Sequence, residues 1–287
     1  MKNLLSTKNL TTKEVDLIFK TTDKLKNKKT PLLKNKVLAM IFEKSSTRTR
    51  VSFETGMFQL GGHAIFLSKN DTQLGRGETI ADTAKVLSRY VDGIMARLFE
   101  HKKMLELTKY SSVPVINGLD DLEHPCQALA DLYTVKQKKK LKGLKIVFLG
   151  DGRNNTFTSL IYLCNKFGMN VFVSCPSKYK PKIKTKYKWF KDVKEAVKNA
   201  DVIYTDTFVS MGQEKENKKR EKDLKDYQLN SNLLKLAEKN AIVMHPLPAH
   251  REMEITSQVM DGKNSVIFEQ AENRLHVQKA VLYLLMK

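Results

Sequence analysis

Several features that would assign this chain to a particular class are scarce or missing. It has 3 cysteines and 1 tryptophan among 287 residues. The cysteines, Cys126, Cys164 and Cys175, lack the spacing of metal ligands or of a disulfide framework, which favours a reducing cytoplasm. No apolar run approaches the roughly 20 residues of a membrane span, and the polar stretch 1–12 does not resemble a secretory signal. We expect a cytoplasmic protein with no metal site and no membrane segment.

Acidic side chains are also scarce relative to basic ones. The chain has 51 Lys and Arg but only 31 Asp and Glu, for a formal net charge of +20. Such an excess suits nucleic acid or a small anionic ligand as partner. The lysines are scattered, apart from a dense stretch at 178–191, and no helix-turn-helix, zinc-finger or RNA-binding motif accompanies them. A solvated lysine-rich surface is the favoured interpretation, and nucleic-acid binding is the alternative.

What the sequence does contain is a regular alternation of short apolar runs and helix-like stretches. The predicted strands are Val37–Phe42, Ala64–Leu67, Gly93–Ala96, Val113–Ile116, Lys145–Leu149, Val171–Val173, Val202–Thr205, Ile242–Met244 and Val266–Phe268. Short buried strands separated by helices are typical of parallel sheets. The length suits more than one core. We therefore predict an α/β fold of two domains, each a mainly parallel sheet with helices on both faces.

Helix signals and a charged segment give the predicted boundaries. A capping box at Thr11–Glu14 opens the first helix, a second follows Thr47, and a third runs from Thr79 to about residue 89. A final helix is predicted over Glu272–Met286. The lysine-rich segment 137–144 separates the two halves, which gives domains 1–136 and 137–270, with 271–287 packing back toward the first domain.

The segment Ser46-Thr47-Arg48-Thr49-Arg50 lies where a predicted strand ends and a predicted helix begins. A helix start presents unpaired N–H groups and the positive end of the helix dipole. The hydroxyls add donors, and arginine adds planar cations suited to phosphate. The segment therefore predicts a phosphate pocket, although a capped helix with surface arginines has the same pattern.

Four more polar motifs lie at predicted strand ends or helix starts. They are His124–Gln127, Gly150–Asn155, Asp206–Gly212 and His245–Arg251. Ligands bind at the carboxyl ends of strands in open α/β sheets, so each motif could bind a polar ligand. The motif Gly150–Asn155 is not a G-x-G-x-x-G fingerprint, which argues against a nucleotide cofactor. Taken alone, each also fits a capped helix or a structural turn.

Together and in this order, the five motifs resemble the aspartate and ornithine carbamoyltransferases over nearly the whole chain. The Ser-Thr-Arg-Thr-Arg and His-Pro-x-Gln motifs are typical of enzymes that use carbamoyl phosphate. The Asp-x-x-x-Ser-Met-Gly motif looks like that of the ornithine branch. The resemblance implies transfer of a carbamoyl group to ornithine to give citrulline, in arginine metabolism. It also implies homotrimers or multiples of trimers, and no metal or organic cofactor.

The resemblance further implies a carbamoyl phosphate site in the first domain and an ornithine site in the second. The implied carbamoyl phosphate ligands are Ser46, Thr47, Arg48, Thr49, Gln73, Arg97, His124, Gln127 and Arg274. The implied ornithine contacts are Asn155, Asp206, Ser210, Met211, Pro246 and Leu247. The implied catalytic groups are Arg97, His124, Asp206 and the Leu247 backbone carbonyl. Gln73 matches a residue supplied by a neighbouring subunit.

One motif departs from the ornithine pattern. Ornithine enzymes commonly have His-Cys-Leu-Pro where this chain has His245-Pro246-Leu247-Pro248. The proline resembles the aspartate branch and removes any thiol from this position, so we predict that catalysis needs no cysteine. Aspartate, putrescine and an acylated ornithine are the alternative acceptors, although Asp206 would repel a dicarboxylate. We also predict a cis peptide between Leu247 and Pro248, as the resemblance implies.

Overall fold

The structure, a computed structural model, describes residues 1–209 and 216–287. Its contacts divide the chain into two compact units, residues 1–130 with 272–287 and residues 131–271. Which residues form each predicted binding domain stays a prediction. None of the helices in the described ranges is long and apolar enough to span a bilayer.

The first unit is built on a four-stranded parallel sheet with the order β2-β1-β3-β4. Its strands are β1 (Val37–Phe42), β2 (His63–Ser68), β3 (Gly93–Arg97) and β4 (Val115–Leu119). Its helices are α1 (Thr12–Leu25), α2 (Thr47–Gln59), α3 (Ile80–Leu87), α4 (His101–Tyr110) and the start of α5 (Pro125–Lys138). Because crossovers between parallel strands are right-handed, the reversal of strand order at β1 places α2 on one face and α3 and α4 on the other.

The second unit has a five-stranded parallel sheet with the order β7-β6-β5-β8-β9. Its strands are β5 (Lys145–Leu149), β6 (Asn170–Ser174), β7 (Lys188–Phe190), β8 (Val202–Thr205) and β9 (Ile242–Met244). Its helices are α6 (Asn155–Lys166), α7 (Val193–Val197), α8 (Asn217–Leu224), α9 (Ser231–Leu234), α10 (Ser257–Met260) and the start of α11 (Ile267–Met286). The predicted α/β class with parallel sheets is confirmed.

The local signals in the first half are confirmed as well. The Thr11 hydroxyl accepts from the Glu14 N–H at 3.2 Å, and the Glu14 carboxylate accepts from the Thr11 N–H at 2.9 Å. Each satisfies a backbone donor that the first turn of α1 leaves unpaired. Ser46 caps α2 and Thr79 caps α3 in the same way, through side-chain oxygens. These caps fix the residue at which each helix begins.

Some predicted elements are wrong or incomplete. Val266–Phe268 is not a strand, since only Ser265 bridges β9 and α11 begins at Ile267, five residues earlier than predicted. Three apolar residues cannot distinguish a buried strand from the first turn of a helix, and Phe268 is 61% exposed. Strand β7 was not predicted, because its sequence Lys-Trp-Phe lies within the lysine-rich stretch. Strand β4 begins two residues later than predicted.

A buried lysine attaches α11 to the ends of two other helices in the first unit. Lys279 is 0% exposed. Its Nζ donates to the carbonyls of Leu25 at 3.0 Å and Lys28 at 2.6 Å, just past α1, and to Gln59 Oε1 at 2.8 Å, at the end of α2. Carbonyls at helix ends have no partner within the helix. Lys279 therefore fixes the position of α11, which carries Arg274, relative to α2, which carries Arg48.

We expect Lys279→Met to lower the free energy of unfolding by about 2 kcal/mol, because it removes the donor to the Lys28 carbonyl and to Gln59 Oε1 while keeping the apolar stem. Urea unfolding followed by circular dichroism measures the change in midpoint. Lys20→Met, the same substitution at an exposed lysine of α1, is the matched control. Equal midpoints for the two variants would contradict this role of Lys279.

Candidate active site

In the first unit, polar segments meet at the carboxyl edge of the sheet, between β1 and β3. The strand order reverses there, and loops that diverge at such a reversal leave a crevice where ligands bind. Phe42, at the end of β1, pairs in register with Arg97, at the end of β3. The Glu43 N–H donates to the Arg97 carbonyl at 2.9 Å. Arg97 therefore lies beside the segment that leads into α2.

The N-terminus of α2 is arranged to receive an anion. The Ser46 hydroxyl accepts from the Thr49 N–H at 3.3 Å and donates to Thr49 Oγ1 at 3.0 Å. Thr47 is exposed and Arg48 is half-buried in the first turn. Within this described helix no acidic side chain occupies the first turn, so nothing in the helix itself neutralises the positive end of its dipole.

Two buried arginines and the half-buried Arg48 lie close together in this unit. Arg97 and Arg274 are each 4% exposed. Burial, and then the nearby charges of Arg274 and Arg48, lower the pKa of Arg97 to about 9. The Arg97 Nε has no hydrogen-bond partner among the described residues. Holding like charges out of water is unfavourable unless an anion neutralises them, so the cluster fits a phosphate-bearing ligand.

Arg274 reaches from α11 to both α5 and α2. Its guanidinium donates to Gln127 Oε1 at 2.6 Å and to Thr49 Oγ1 at 3.3 Å, while its Nε donates to Gln278 Oε1 at 2.8 Å. The Gln278 amide in turn donates to the Ser52 hydroxyl at 2.8 Å. Both donor edges of the guanidinium are thereby fixed, which holds the side chain in one orientation.

His124 and Cys126, at the start of α5, are buried in neutral form. Burial, with the charges of Arg274 and Arg97, holds the pKa of His124 well below its ordinary value. A neutral imidazole at pH 7 can donate to a carbonyl oxygen from one ring nitrogen. Burial raises the pKa of Cys126 to about 12, and its Sγ contacts the Asn117 carbonyl at 3.5 Å. Cys126 is therefore a protonated thiol and not a nucleophile.

Two residues of the first unit lie apart from the arginine cluster. The Arg50 Nε donates to Glu54 at 2.9 Å, and its guanidinium lies 3.8 Å from the centroid of the Phe66 ring. The Gln73 side chain is exposed and hydrogen-bonds to none of the described residues. The structure thus brings together Ser46, Arg48, Thr49, Arg97, His124, Gln127 and Arg274, with Thr47 at the exposed start of α2, and leaves Gln73 outside.

The second unit has its strand-order reversal between β5 and β8, and polar residues follow both strands. Asn154 caps α6 after β5, and its Oδ1 accepts from the N–H groups of Thr156 and Phe157 at 2.8 and 3.2 Å. Its amide nitrogen must then be the donor to Asp206 Oδ2, at 2.9 Å. Asn155 is half-buried in the first turn of α6.

Asp206 directly follows β8 at this reversal. Burial raises its pKa, while the nearby His245 ring, the Thr207 N–H and the Asn154 amide lower it, and Glu254 raises it. The Thr207 N–H lies 2.7 Å from Oδ1. A desolvated carboxylate of this kind gains most from a cationic partner. Ser210 and Met211, the next predicted contacts along the chain, lie outside the described residues.

The turn after β9 is restricted by two prolines and includes the Leu247 carbonyl. Pro246 is buried and Leu247 is half-buried. Leu247 has a φ of 58°, and the predicted cis peptide between Leu247 and Pro248 is confirmed. The Leu247 N–H donates to His245 Nδ1 at 2.9 Å, whereas the Leu247 carbonyl accepts no hydrogen bond from the described residues.

Several residues of these sites were not predicted. Asn154 and His245 lay within motifs but were not assigned roles, and Gln278 and Glu254 were not considered. Asn directly before a helix was a usable signal for Asn154. The other contacts join residues far apart in the sequence or depend on the conformation of a turn, so no local pattern identifies them.

Two family models together match most of the chain. The carbamoyl-P binding domain of aspartate/ornithine carbamoyltransferase matches residues 2–137, and the Asp/Orn binding domain matches residues 142–285. The chain belongs to the aspartate/ornithine carbamoyltransferase family.

Relatives within the carbamoyltransferase family are close over nearly their full length. The ornithine carbamoyltransferase of Methanobrevibacter smithii is 51% identical, with 100% of each chain covered. That of Oceanobacillus iheyensis is 57% identical over 88% of this chain and 83% of its own. The structure of ornithine carbamoyltransferase from Pyrococcus furiosus has a TM-score of 0.95 at 49% identity, covering 99% of this chain and 97% of that one.

We expect Arg48→Ala to weaken the binding of inorganic phosphate by about tenfold or more, the effect of losing one charge-assisted contact. Arg50→Ala is the matched control from the same family motif, because Arg50 is paired with Glu54 and Phe66. The rise in melting temperature with phosphate concentration reports the affinity. A similar loss in both variants would contradict the distinction between the two arginines.

Proposed function

We propose that this chain is an ornithine carbamoyltransferase, which transfers the carbamoyl group of carbamoyl phosphate to the δ-amine of L-ornithine and gives L-citrulline and phosphate. The observation that carries the proposal is the clustering of Arg48, Arg97 and Arg274 beside neutral His124 at the start of α2. Carbamoyl phosphate requires cations to bind its phosphate and neutral donors to bind its amide-like carbamoyl group.

Each ligand in the first unit has a proposed role. Ser46, Thr47, Arg48 and Thr49 bind the phosphate together with the N-terminus of α2. Arg97 and His124 donate to the carbonyl oxygen, and Gln127 with Arg274 holds the carbamoyl end. The hydrogen bond from Arg274 to Gln127 Oε1 supports this last role, since it fixes the orientation of the glutamine amide.

The chemistry is an attack of a neutral amine on the carbamoyl carbon. The carbonyl oxygen becomes more negative in the tetrahedral transition state, where Arg97, His124 and Thr49 stabilise it. The oxygen of the leaving phosphate gains negative charge, which Arg48 and the dipole of α2 stabilise. Holding two small substrates in line supplies much of the remaining rate. The reaction as proposed needs neither a covalent enzyme intermediate nor a metal or organic cofactor.

Asp206 supports the choice of acceptor. Its burial favours a cationic partner, and an amino acid with a second amine provides one, whereas aspartate would bring a second carboxylate against it. Asn155, Ser210 and Met211 are the proposed contacts of the amino-acid end. Pro246 and Leu247 are the proposed neighbours of the δ-amine, with the Leu247 carbonyl accepting from it.

The proton of the amine has a route that uses no thiol. Pro246 can neither accept nor donate a proton, and the raised pKa of Cys126, about 12, keeps that thiol protonated. Asp206, a phosphate oxygen of the leaving group, or water is the proposed acceptor. Three free buried cysteines are consistent with a cytoplasmic enzyme of arginine metabolism.

The acceptor is tested by following carbamoyl transfer from carbamoyl phosphate to L-ornithine, L-aspartate, putrescine and N-acetylornithine side by side. We expect kcat/KM for ornithine to exceed that for each other acceptor by about a hundredfold or more, the scale of discrimination when a site's buried polar groups are left unpaired. Faster transfer to any other acceptor would replace ornithine in the proposal. Duplex binding that falls steeply with salt, without transfer, would support the nucleic-acid alternative.

A homotrimer, or a multiple of trimers, is the proposed assembly. Strand β2 is an edge strand. Its Ile65 is 40% exposed, and Val51 and Phe58 of the adjoining helix α2 are 54% and 75% exposed. Exposed apolar residues grouped in this way are typical of protein interfaces. Gln73 follows β2, and its exposed side chain hydrogen-bonds to none of the described residues, which supports its proposed role as a phosphate ligand of the neighbouring subunit.

We expect a mixture of Arg48→Ala and Gln73→Ala proteins to recover activity after subunit exchange. A hybrid trimer combines an intact Arg48 from one subunit with an intact Gln73 from its neighbour. In a random equal mixture, half of the subunits carry an intact Arg48 and the other half carry an intact Gln73. A site needs one of each from neighbouring subunits, so roughly a quarter of the sites are complete. Citrulline formation before and after mixing measures the recovery.

The control mixes Arg48→Ala with the Arg48→Ala, Gln73→Ala double variant, in which no subunit carries Arg48 and activity should stay lost. If exchange is demonstrated by mass spectrometry and the first mixture remains inactive, each chain has a self-sufficient site and the proposed role of Gln73 is wrong.

A further inference from the structure

Residues 246–248, in the turn after β9, have one backbone donor, and that donor is committed to a side chain. Pro246 and Pro248 have no N–H, so Leu247 provides the only N–H of the three residues. It donates to His245 Nδ1 at 2.9 Å. With a φ of 58°, Leu247 is in the left-handed region, which costs a residue with a Cβ about 1–2 kcal/mol. A leucine keeps this conformation only where its surroundings impose it.

The imidazole of His245, which holds Leu247 in this conformation, is fixed at both ring nitrogens. Because Nδ1 accepts, the proton of a neutral ring must be on Nε2, and Nε2 lies 3.0 Å from Glu254 Oε1. His245 and Glu254 are each 0% exposed. The same carboxylate oxygen accepts from the His250 N–H at 2.6 Å, and the His245 N–H donates to Gln270 Oε1 at 2.9 Å.

These contacts determine the direction of one carbonyl. The Leu247 N–H is held by the imidazole of His245. On the other side of Leu247, the pyrrolidine ring of Pro248 restricts backbone rotation. The carbonyl of Leu247 accepts from none of the described residues. It is therefore a rigidly held acceptor, as a carbonyl that orients a reacting amine must be.

We infer that His245 is a positioning residue, whose neutral imidazole, with its Nε2–H held by Glu254, clamps Leu247 in the left-handed conformation that aims the Leu247 carbonyl at the acceptor amine. The inference rests on the proposed function, in which that carbonyl meets the amine of ornithine. His245 itself touches no substrate. Its effect on the reaction passes through the Leu247 N–H.

Two substitutions of His245 separate its two ring contacts. Asparagine places an oxygen near the position of Nδ1 and can still accept from Leu247, whereas glutamine extends toward Glu254 and cannot. We expect His245→Gln to lower kcat and kcat/KM for ornithine by about a hundredfold, as for the loss of one preorganised transition-state contact. We expect His245→Asn to lose about tenfold at most, and the affinity for carbamoyl phosphate to change less than threefold in both. Lys20→Gln, at an exposed lysine of α1 outside the site, should retain wild-type turnover.

A second pair serves if the His245 variants do not fold. Glu254→Gln keeps an oxygen that accepts from Nε2–H, and Glu254→Met removes it. We expect Glu254→Met to lose about tenfold more kcat than Glu254→Gln when both are compared at equal folded fraction, measured by circular dichroism.

The outcomes separate this inference from the proposed function. A wild-type protein that forms no citrulline overturns the proposed function, and the inference with it. An active wild type with equal kcat losses in His245→Asn and His245→Gln, or in the two Glu254 variants, overturns the clamp alone. Loss of carbamoyl phosphate affinity in parallel with kcat would make His245 a merely structural residue.

Discussion

The hydrogen bonds of the Arg274 guanidinium are the interaction on which the proposed anion site of the first unit depends. They join α11 to Gln127 of α5 and to Thr49 of α2, while Lys279, more than one turn further along α11, attaches the same helix to the end of α2. The charge of Arg274 also lowers the pKa of Arg97. Helix α11 thus carries both Arg274 and Lys279, the residue that holds the helix against α2. An anion bound between the arginines would relieve their mutual repulsion.

Much of the fold could be predicted from the sequence, because buried parallel strands are short, uniformly apolar and separated by helices. Strands β1, β5, β8 and β9 have the predicted bounds. The errors lie where this contrast fails. Strand β7 is a lysine-containing edge strand with only its neighbour β6 to pair with, and the apolar residues after Ser265 start a helix. Neither error alters the two strand-order reversals, so the sheet edge that carries the candidate residues in each unit was predictable.

The predicted members of the site are those whose chemistry is visible in a short motif. Hydroxyls and arginines at a helix start, or a histidine and a glutamine three residues apart, point to ligand contacts without knowledge of the fold. Supporting contacts give no such signal. Gln278 matters because it meets both Arg274 and Ser52, and Glu254 because the turn between them brings it against His245. These pairings exist only once packing has chosen the partners, which is why residue types alone could not identify them.

Pro246 links these supporting contacts to the chemistry. A cysteine at this position would provide a backbone N–H and a side chain that can exchange a proton, and proline provides neither. The absence of that N–H leaves the Leu247 N–H as the only backbone donor within residues 246–248, so its bond to His245 has no substitute in the turn. In the absence of the thiol, Asp206 is the proposed proton acceptor on the protein, and burial raises its pKa toward the range in which a carboxylate can take a proton at neutral pH. The leaving phosphate is an equally suitable acceptor, because it becomes more basic as the bond to carbon breaks. A family member can therefore have proline in place of the cysteine. The proline stiffens the turn, and Asp206 and the leaving phosphate remain as proposed proton acceptors.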